Sequence, residues 1–428
     1  MSSNTTLGVE TRACKRKRER DANAGDAIPG LLNDIVVSHV LRSEHFDDPA
    51  DLARLRAVSR AMNDAVTATG LQFEELDEHS AVVLGCLSAI ERLQRTGQLQ
   101  NQVYLCHAAA RSGQLEKLRL LRENNTPWNT QTCAMAATSR HFEVLQWLHV
   151  NGCPWDWMTC AAAATYSGHP CILQWARANG CPWDERTCSA AAYGGHPCIL
   201  QWARANGCPW NANTCTYAGL GGHLEVMQWA RANGCPWDSL TCAYAAKCGQ
   251  LEVMQWERAN GCPWDELTCA YAAKGGRLEV LQWARVNGCP WNEQTCTYAA
   301  ICGQLEMLQW ARANGCPWDA ITCLGVAQGG YLEVLQWARA NGCPWNTNTC
   351  SWAATGGHLE VLQWARANGC PWNKQTCTRA AEGGHLEVLQ WAIENGCPWE
   401  WHECMVGATE KGTLDMLAWL NENKPPEP

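Results

Sequence analysis

The dipeptide Pro-Trp recurs along the chain at a near-constant interval. Its tryptophan falls at Trp128, Trp155, Trp183, Trp210, Trp237, Trp264, Trp291, Trp318, Trp345, Trp372 and Trp399. The spacing is 27 residues except for one step of 28, where the unit around Tyr166 and Ser167 holds an extra residue. A fixed period between about 20 and 50 residues means that each unit is one supersecondary element that buries its faces only against its neighbours. The period constrains the fold more than the length of 428 residues does, because domain count no longer scales with length.

One unit can be parsed from residues 349–369, TCSWAATGGHLEVLQWARANG. A small-residue helix runs to about Thr355 and is broken by Gly356 and Gly357. A second helix carries Leu359, Val361, Leu362, Trp364 and Ala365 on two flanks, as a helix between two neighbours requires. Pro170 and Pro197 follow the histidine in two copies and mark the start of the second helix, since proline suits the first helical position. Glu360 in the first turn and Arg366 in the last complement the helix dipole, as do Glu225 with Arg231 and Glu333 with Arg339. These two ladders are expected on a solvated face. In NGCPW followed by Asp or Asn, Gly can take the left-handed conformation that ends the second helix, Pro stops its continuation, and Trp anchors adjacent units. The last residue then caps the next helix.

The chain has 28 cysteines. Each turn cysteine is followed seven residues later by another, as in Cys208 with Cys215 and Cys343 with Cys350, and His223 or His358 adds a third donor. Structural zinc sites need four ligands and favour closer cysteine pairs, and Gln250, Arg277, Gln304 and Tyr331 replace the histidine elsewhere. A metal is therefore disfavoured and no cofactor is expected. A disulfide in each unit would need an oxidising compartment. The N-terminus lacks the apolar run of a signal peptide, and the longest uncharged stretch, residues 157–176, contains Gly168 and Pro170 and reads as two short helices instead of a span. The expected location is the cytoplasm or nucleus, with buried free thiols. A net charge of -9 argues against nucleic-acid binding over the body of the chain.

The order AA, GH, LEVLQW and NG resembles the ankyrin repeat, matching its AAxxGHLEVVxxLLxxGA segment nearly position by position. The departures are a shorter period and a TPLH stretch reduced to Thr-Cys. The resemblance implies an all-α solenoid of helical hairpins, about twelve ankyrin-like repeats with clipped fingers, over residues 101–423. The divergent first and last units, around residues 105–125 and 403–423, would serve as caps.

Residues 28–70 do not repeat. Ile28, Pro29, Leu32, Ile35, Leu41, Leu52, Leu55 and the Val58–Ser59–Arg60 triplet resemble the F-box, a small three-helix module. In that family such residues partly fill the core and partly dock a Skp-type adaptor of a cullin–RING ubiquitin ligase. The other reading is a helical cap on the solenoid. Residues 71–100 read as a helical connector, residues 1–27 as a disordered tail and residues 424–428 as a polar tail. Lys15, Arg16, Lys17 and Arg18 fit either a nuclear import signal or a solvated charge run.

Comparing the copies with one another locates a recognition surface. The second helix hardly changes, whereas the first helix varies at two registers. Two residues after the cysteine stand Tyr217, Tyr244, Tyr271, Tyr298, Gly325, Trp352 and Arg379. Three residues further stand Leu220, Lys247, Lys274, Ile301, Gln328, Thr355 and Glu382. In an ankyrin-like solenoid the first helix lines the concave side, so Tyr217, Tyr244, Tyr271, Tyr298, Trp352, Arg379, Lys247 and Lys274 form a candidate partner-binding strip. The same rings also suit packing between neighbouring first helices. No catalytic constellation is present, because every candidate His or Cys occupies a periodic structural position, and an enzyme is not expected. The expected function is that of a monomeric, protein-binding substrate adaptor of a ubiquitin ligase; the alternative is a scaffold or inhibitor with no ubiquitin link. No membrane contact is expected.

Overall fold

A computed structural model describes residues 77–84, 86–166 and 170–425. The F-box-like residues Ile28, Pro29, Leu32, Ile35, Leu52, Leu55 and Val58, and the basic run at Lys15–Arg18, lie outside the described residues. All described elements are helices. The chain divides into two compact units, Met1–Trp183 and Asp184–Pro428.

In the first unit, helices Glu78–Leu84 and Leu87–Arg95 pack on Val103–Arg111, the first helix of the first hairpin, and bury Ile90 completely. Three helical hairpins follow, Val103–Arg111 with Leu115–Glu123, Thr130–Thr138 with Phe142–Val150, and Trp157–Tyr166 with Cys171–Ala178. The second unit holds nine more among its described residues, from Glu185–Tyr193 with Pro197–Ala205 to Trp401–Lys411 with Leu414–Glu422. Each unit is thus a solenoid of helical hairpins. The helix bounds follow the sequence reading closely, with Thr347–Thr355 and Leu359–Ala367 in the copy parsed above. Pro197 occupies the first helical position, whereas Pro170 caps a helix that begins at Cys171.

Local chemistry explains the unit. The residue after the tryptophan caps the first helix: the Asn211 side chain accepts from the Asn213 N–H, and Asp238 and Thr241 cap each other's backbone reciprocally. The second helix ends in a Schellman motif. Cys208 N–H donates to Ala203 O at 2.9 Å and Gly207 N–H to Arg204 O at 3.1 Å, with Gly207 at φ +81°. Cysteine at the second of these positions has no exposure and fills the corner under the turn.

The side of each first helix that meets the next is almost all Ala, Thr and Cys, so successive first helices run in contact along their length. Successive second helices barely approach one another. Half-buried tryptophans hold that wider gap. Trp210 meets Trp229 of the next unit edge-on at 5.9 Å, and the pattern continues through Trp372 and Trp391 at the same distance. The first helices therefore form the closer-packed layer of each unit and the second helices the wider one.

One expectation is corrected. The arginines of the second helix are not a solvated ladder. Arg204, Arg231, Arg258 and Arg285 lie over Trp210, Trp237, Trp264 and Trp291 at about 4 Å and donate to the carbonyl of the turn cysteine. His149 takes the same role in the first unit, stacked on Trp155 at 4.0 Å. Cys188 Sγ faces the Cys208 carbonyl at 4.0 Å and Cys208 Sγ donates to the Asp184 carbonyl at 3.4 Å, while the neighbouring Cys208 and Cys235 side chains together with burial hold the Cys188 and Cys215 thiols far above the usual thiol range.

Candidate partner-binding face

The exposed side of the first helices bears the variable registers. Tyr217 is 42 % exposed and meets Tyr193 edge-on at 6.1 Å. Tyr244 and Tyr271 meet edge-on at 5.5 Å with their planes at 87°. Edge-to-face contact suits the ring quadrupoles, so each ring leaves part of its surface to solvent while its flank is packed. These tyrosines therefore pack on neighbouring rings while remaining half-exposed. Burial, followed by the neighbouring Tyr244 and Tyr298 hydroxyls, raises the Tyr271 hydroxyl above its ordinary value.

The cations separate into two groups. Lys247 Nζ lies 6.0 Å from the Tyr244 ring centre, and Lys274 Nζ lies 5.2 Å from that of Tyr298. Among the described residues neither has a carboxylate partner. Arg379 is placed differently: it lies 5.7 Å from the Trp352 ring centre and is bound at 2.9 Å to Glu382. Trp352 is half-buried beneath it. Between the two groups, Gly325 carries no side chain and Ile301 fills its place, since a Cβ at Gly325 would stand 2.3 Å from Ile301 Cγ1. The expected strip is thus two clusters, one centred on Tyr244, Lys247, Tyr271, Lys274 and Tyr298, and the other on Trp352 and Arg379.

Arg277 was missed as a candidate. It occupies the register where other copies carry histidine, and it is exposed three residues after Lys274. At that register the side chain lies over the left-handed glycine of the preceding unit: Gly249 is covered by Arg277, Gly222 by Gln250 and Gly330 by His358. The histidines also donate from Nε2 to a carbonyl one unit back, His223 to Tyr193 O and His358 to Gln328 O, each at 3.0 Å. The readable signal was the one cation at this register in the second unit.

Among the described residues no three His, Cys, Asp or Glu side chains converge where an ion could be held, and no helix is long and apolar enough to cross a membrane.

Comparison with known proteins agrees with this architecture. The family model for ankyrin repeats (many copies) matches residues 106–149 and 350–393, two stretches that each span two successive helical hairpins. Among solved structures, the crystal structure of the human ASB11 ankyrin repeat domain is similar at 16% identity and a TM-score of 0.31, covering 37% of this chain and 84% of that one. No curated protein matches. The chain carries ankyrin repeats, and such repeats indicate a protein-interaction scaffold.

Proposed function

We propose that the chain binds a protein partner on the first-helix face of its repeats and, through residues 28–70, brings that partner to a cullin–RING ubiquitin ligase by way of a Skp-type adaptor. The observation that carries the binding role is the division between constant and variable positions. Constant ones, such as Cys208, Leu200 and Ala203, are wholly buried. The variable ones collect on one exposed face as half-exposed tyrosines and cations without carboxylate partners. Exposed aromatic and cationic groups on a rigid surface are the usual anchors of a protein interface.

The ligase role is supported by the other end of the molecule. Helices Glu78–Leu84 and Leu87–Arg95 already cover the first hairpin, so residues 28–70 are not needed as its cap. Their pattern of Leu32, Ile35, Leu52 and Leu55 then has another use, as an adaptor-docking face. Such a protein would act in the cytoplasm or nucleus as a monomer and would perform no catalysis itself.

Calorimetric titration of the full chain with a Skp-type adaptor tests the reading. Binding at micromolar or tighter affinity, lost in the Leu32→Asp, Leu52→Asp double variant, is expected. No binding by the folded chain would reduce the protein to a scaffold with no ubiquitin link.

A further inference from the structure

We infer that the partner-binding face takes an extended segment rich in acidic residues, with carboxylates at about every third position, across residues 239–304. This rests on the first-helix face being the binding face and specifies the chemistry of its partner.

The charge distribution carries the inference. Six lysines and arginines stand on the first helices and the turns that follow them between residues 185 and 385: Arg186, Lys247, Lys274, Arg277, Lys374 and Arg379. Three are neutralised at close range, Arg186 by Asp184 at 2.6 Å, Lys374 by Glu400 at 2.7 Å and Arg379 by Glu382 at 2.9 Å. The other three, Lys247, Lys274 and Arg277, have no carboxylate within ion-pair distance among the described residues. These three lie on adjacent units. The second-helix arginines are likewise committed, stacked on tryptophan. On the first helices and turns of residues 185–385, the cations without a carboxylate partner therefore lie together, among Tyr244, Tyr271 and Tyr298, in a chain of net charge -9.

The acidic groups nearest in sequence, Glu252 and Glu279, stand in the first turns of the second helices and form no ion pair with this patch among the described residues. Asp238 and Asp265 are helix caps, and Glu266 and Glu293 stand in the first turn of their helices. Glu266 is eight residues before Lys274, about 12 Å away along a helix rising 1.5 Å per residue. Lys247, Lys274 and Arg277 thus stand without a carboxylate within ion-pair distance among the described residues.

Geometry sets the form of the partner. Helices packed side by side lie about 10 Å apart, and an extended chain advances about 3.3 Å per residue. A strand crossing the first helices at right angles meets the next unit about every third residue. Carboxylates at that spacing reach Lys247 and then Lys274 or Arg277. The residues between them lie against the tyrosine rings, which offer apolar area and hydroxyl groups together. The lysine stems already lie beside the rings, so little side-chain freedom is lost on binding.

The experiment is fluorescence anisotropy on the full chain with a panel of labelled peptides of about twelve residues. One carries Glu at every third position, one has those Glu replaced by Gln, one by Lys, and one has the same composition with the Glu clustered. The acidic, evenly spaced peptide is expected to bind at micromolar affinity, weakening as salt is raised. It should bind at least about tenfold tighter than the other three. Lys247→Glu, Lys274→Glu, Arg277→Glu together should lose that binding, and the Lys peptide should then be preferred; circular dichroism checks that this variant stays folded. Equal binding of the Gln peptide that is lost in Tyr244→Ala, Tyr271→Ala would overturn the acidic partner while leaving the face as a binding surface. Binding of the acidic peptide that survives both variants would overturn the inference and the assignment of this face. No binding of any peptide would overturn the inference alone, because the adaptor titration tests the function separately.

Discussion

Gly219 faces the carboxyl group of Glu257 so closely that a methyl at position 219 would stand 3.0 Å from Oε1. Every other unit from residue 185 to 394 carries alanine at the register of Gly219, as at Ala192 and Ala246, and alanine at that of Glu257, as at Ala230 and Ala284. The two departures occur together, on the first helix of one unit and the second helix of the next. Glycine makes the room that the larger side chain occupies. Gly219→Ala alone should therefore destabilise the chain by about 1–3 kcal/mol through overpacking. With Glu257→Ala it should restore the ordinary unit, giving a coupling above about 1 kcal/mol in a double-mutant cycle measured by urea unfolding. Additive effects would refute the coupling.

Glu257 has no exposure and neither carboxyl oxygen has a hydrogen-bond partner within normal distance, so burial raises its pKa from 4.5 to about 8, opposed only by the nearby Cys242 thiol. A carboxyl whose pKa is higher folded than unfolded contributes most below the unfolded value, and its contribution is lost as pH rises through the folded one. Stability should fall between about pH 4.5 and 8, by on the order of 4 kcal/mol in all, and level off above that window. The comparison is wild type against Glu257→Gln at pH 5 and pH 8 by chemical denaturation. The variant should narrow or reverse the difference; a parallel pH profile in both proteins would show that Glu257 stays hydrated.

Arg231 lies 3.9 Å from the Trp237 ring centre and donates to the Cys235 carbonyl, so it joins the end of the second helix to the turn. Arg231→Ala should cost about 1–2 kcal/mol, the sum of a half-exposed cation–π contact and a charged hydrogen bond. Arg231→Lys should recover less than half, because an ammonium cannot stack flat on the indole while donating sideways. Thermal unfolding of the three proteins checks the order. Equal stability of the Ala variant would return Arg231 to the solvated ladder expected from sequence.

Gly222 combines φ +74° with a neighbour: a Cβ there would stand 2.5 Å from Gln250 Oε1. Gly222→Ala should destabilise by about 1–2 kcal/mol from the left-handed backbone alone. Gly207 has φ +81° and open space around it. Gly207→Ala should show the same backbone cost, and Gln250→Ala should relieve part of the loss at Gly222 but none at Gly207.

Thiol labelling tests the cysteine assignment. Cys171 and Cys198 are exposed, Cys248 and Cys302 are partly so, and the other described cysteines are buried. Burial also pushes the Cys106 thiol up to about 11 and Cys404 to about 12. In the native chain at pH 8, Cys171 and Cys198 should react with a disulfide reagent within minutes and the turn cysteines only on unfolding. Mapping by mass spectrometry decides it; rapid labelling of Cys208 or Cys235 would contradict the buried corner.

Periodicity made the hairpins, their turns and their caps readable, because each is a local event: glycine at a left-handed position, proline after it and an Asn or Asp cap two residues later. The variable register of Tyr244 and Lys247 was readable for the same reason, since copies of one unit can be compared within one chain. Several features were not local. Arg231 on Trp237, Cys188 against Cys208, Arg277 over Gly249 and Glu257 opposite Gly219 all join residues that the chain separates by six to 38 positions. Helical propensity and spacing say nothing of which side chains share a layer once hairpins stack. Sequence by itself determined the repeating unit, its two helices and the face that varies. Only packing decided that the arginines are held by tryptophan while Lys247, Lys274 and Arg277 are left without a carboxylate, because charge compensation depends on which neighbours the stacking brings within about 4 Å.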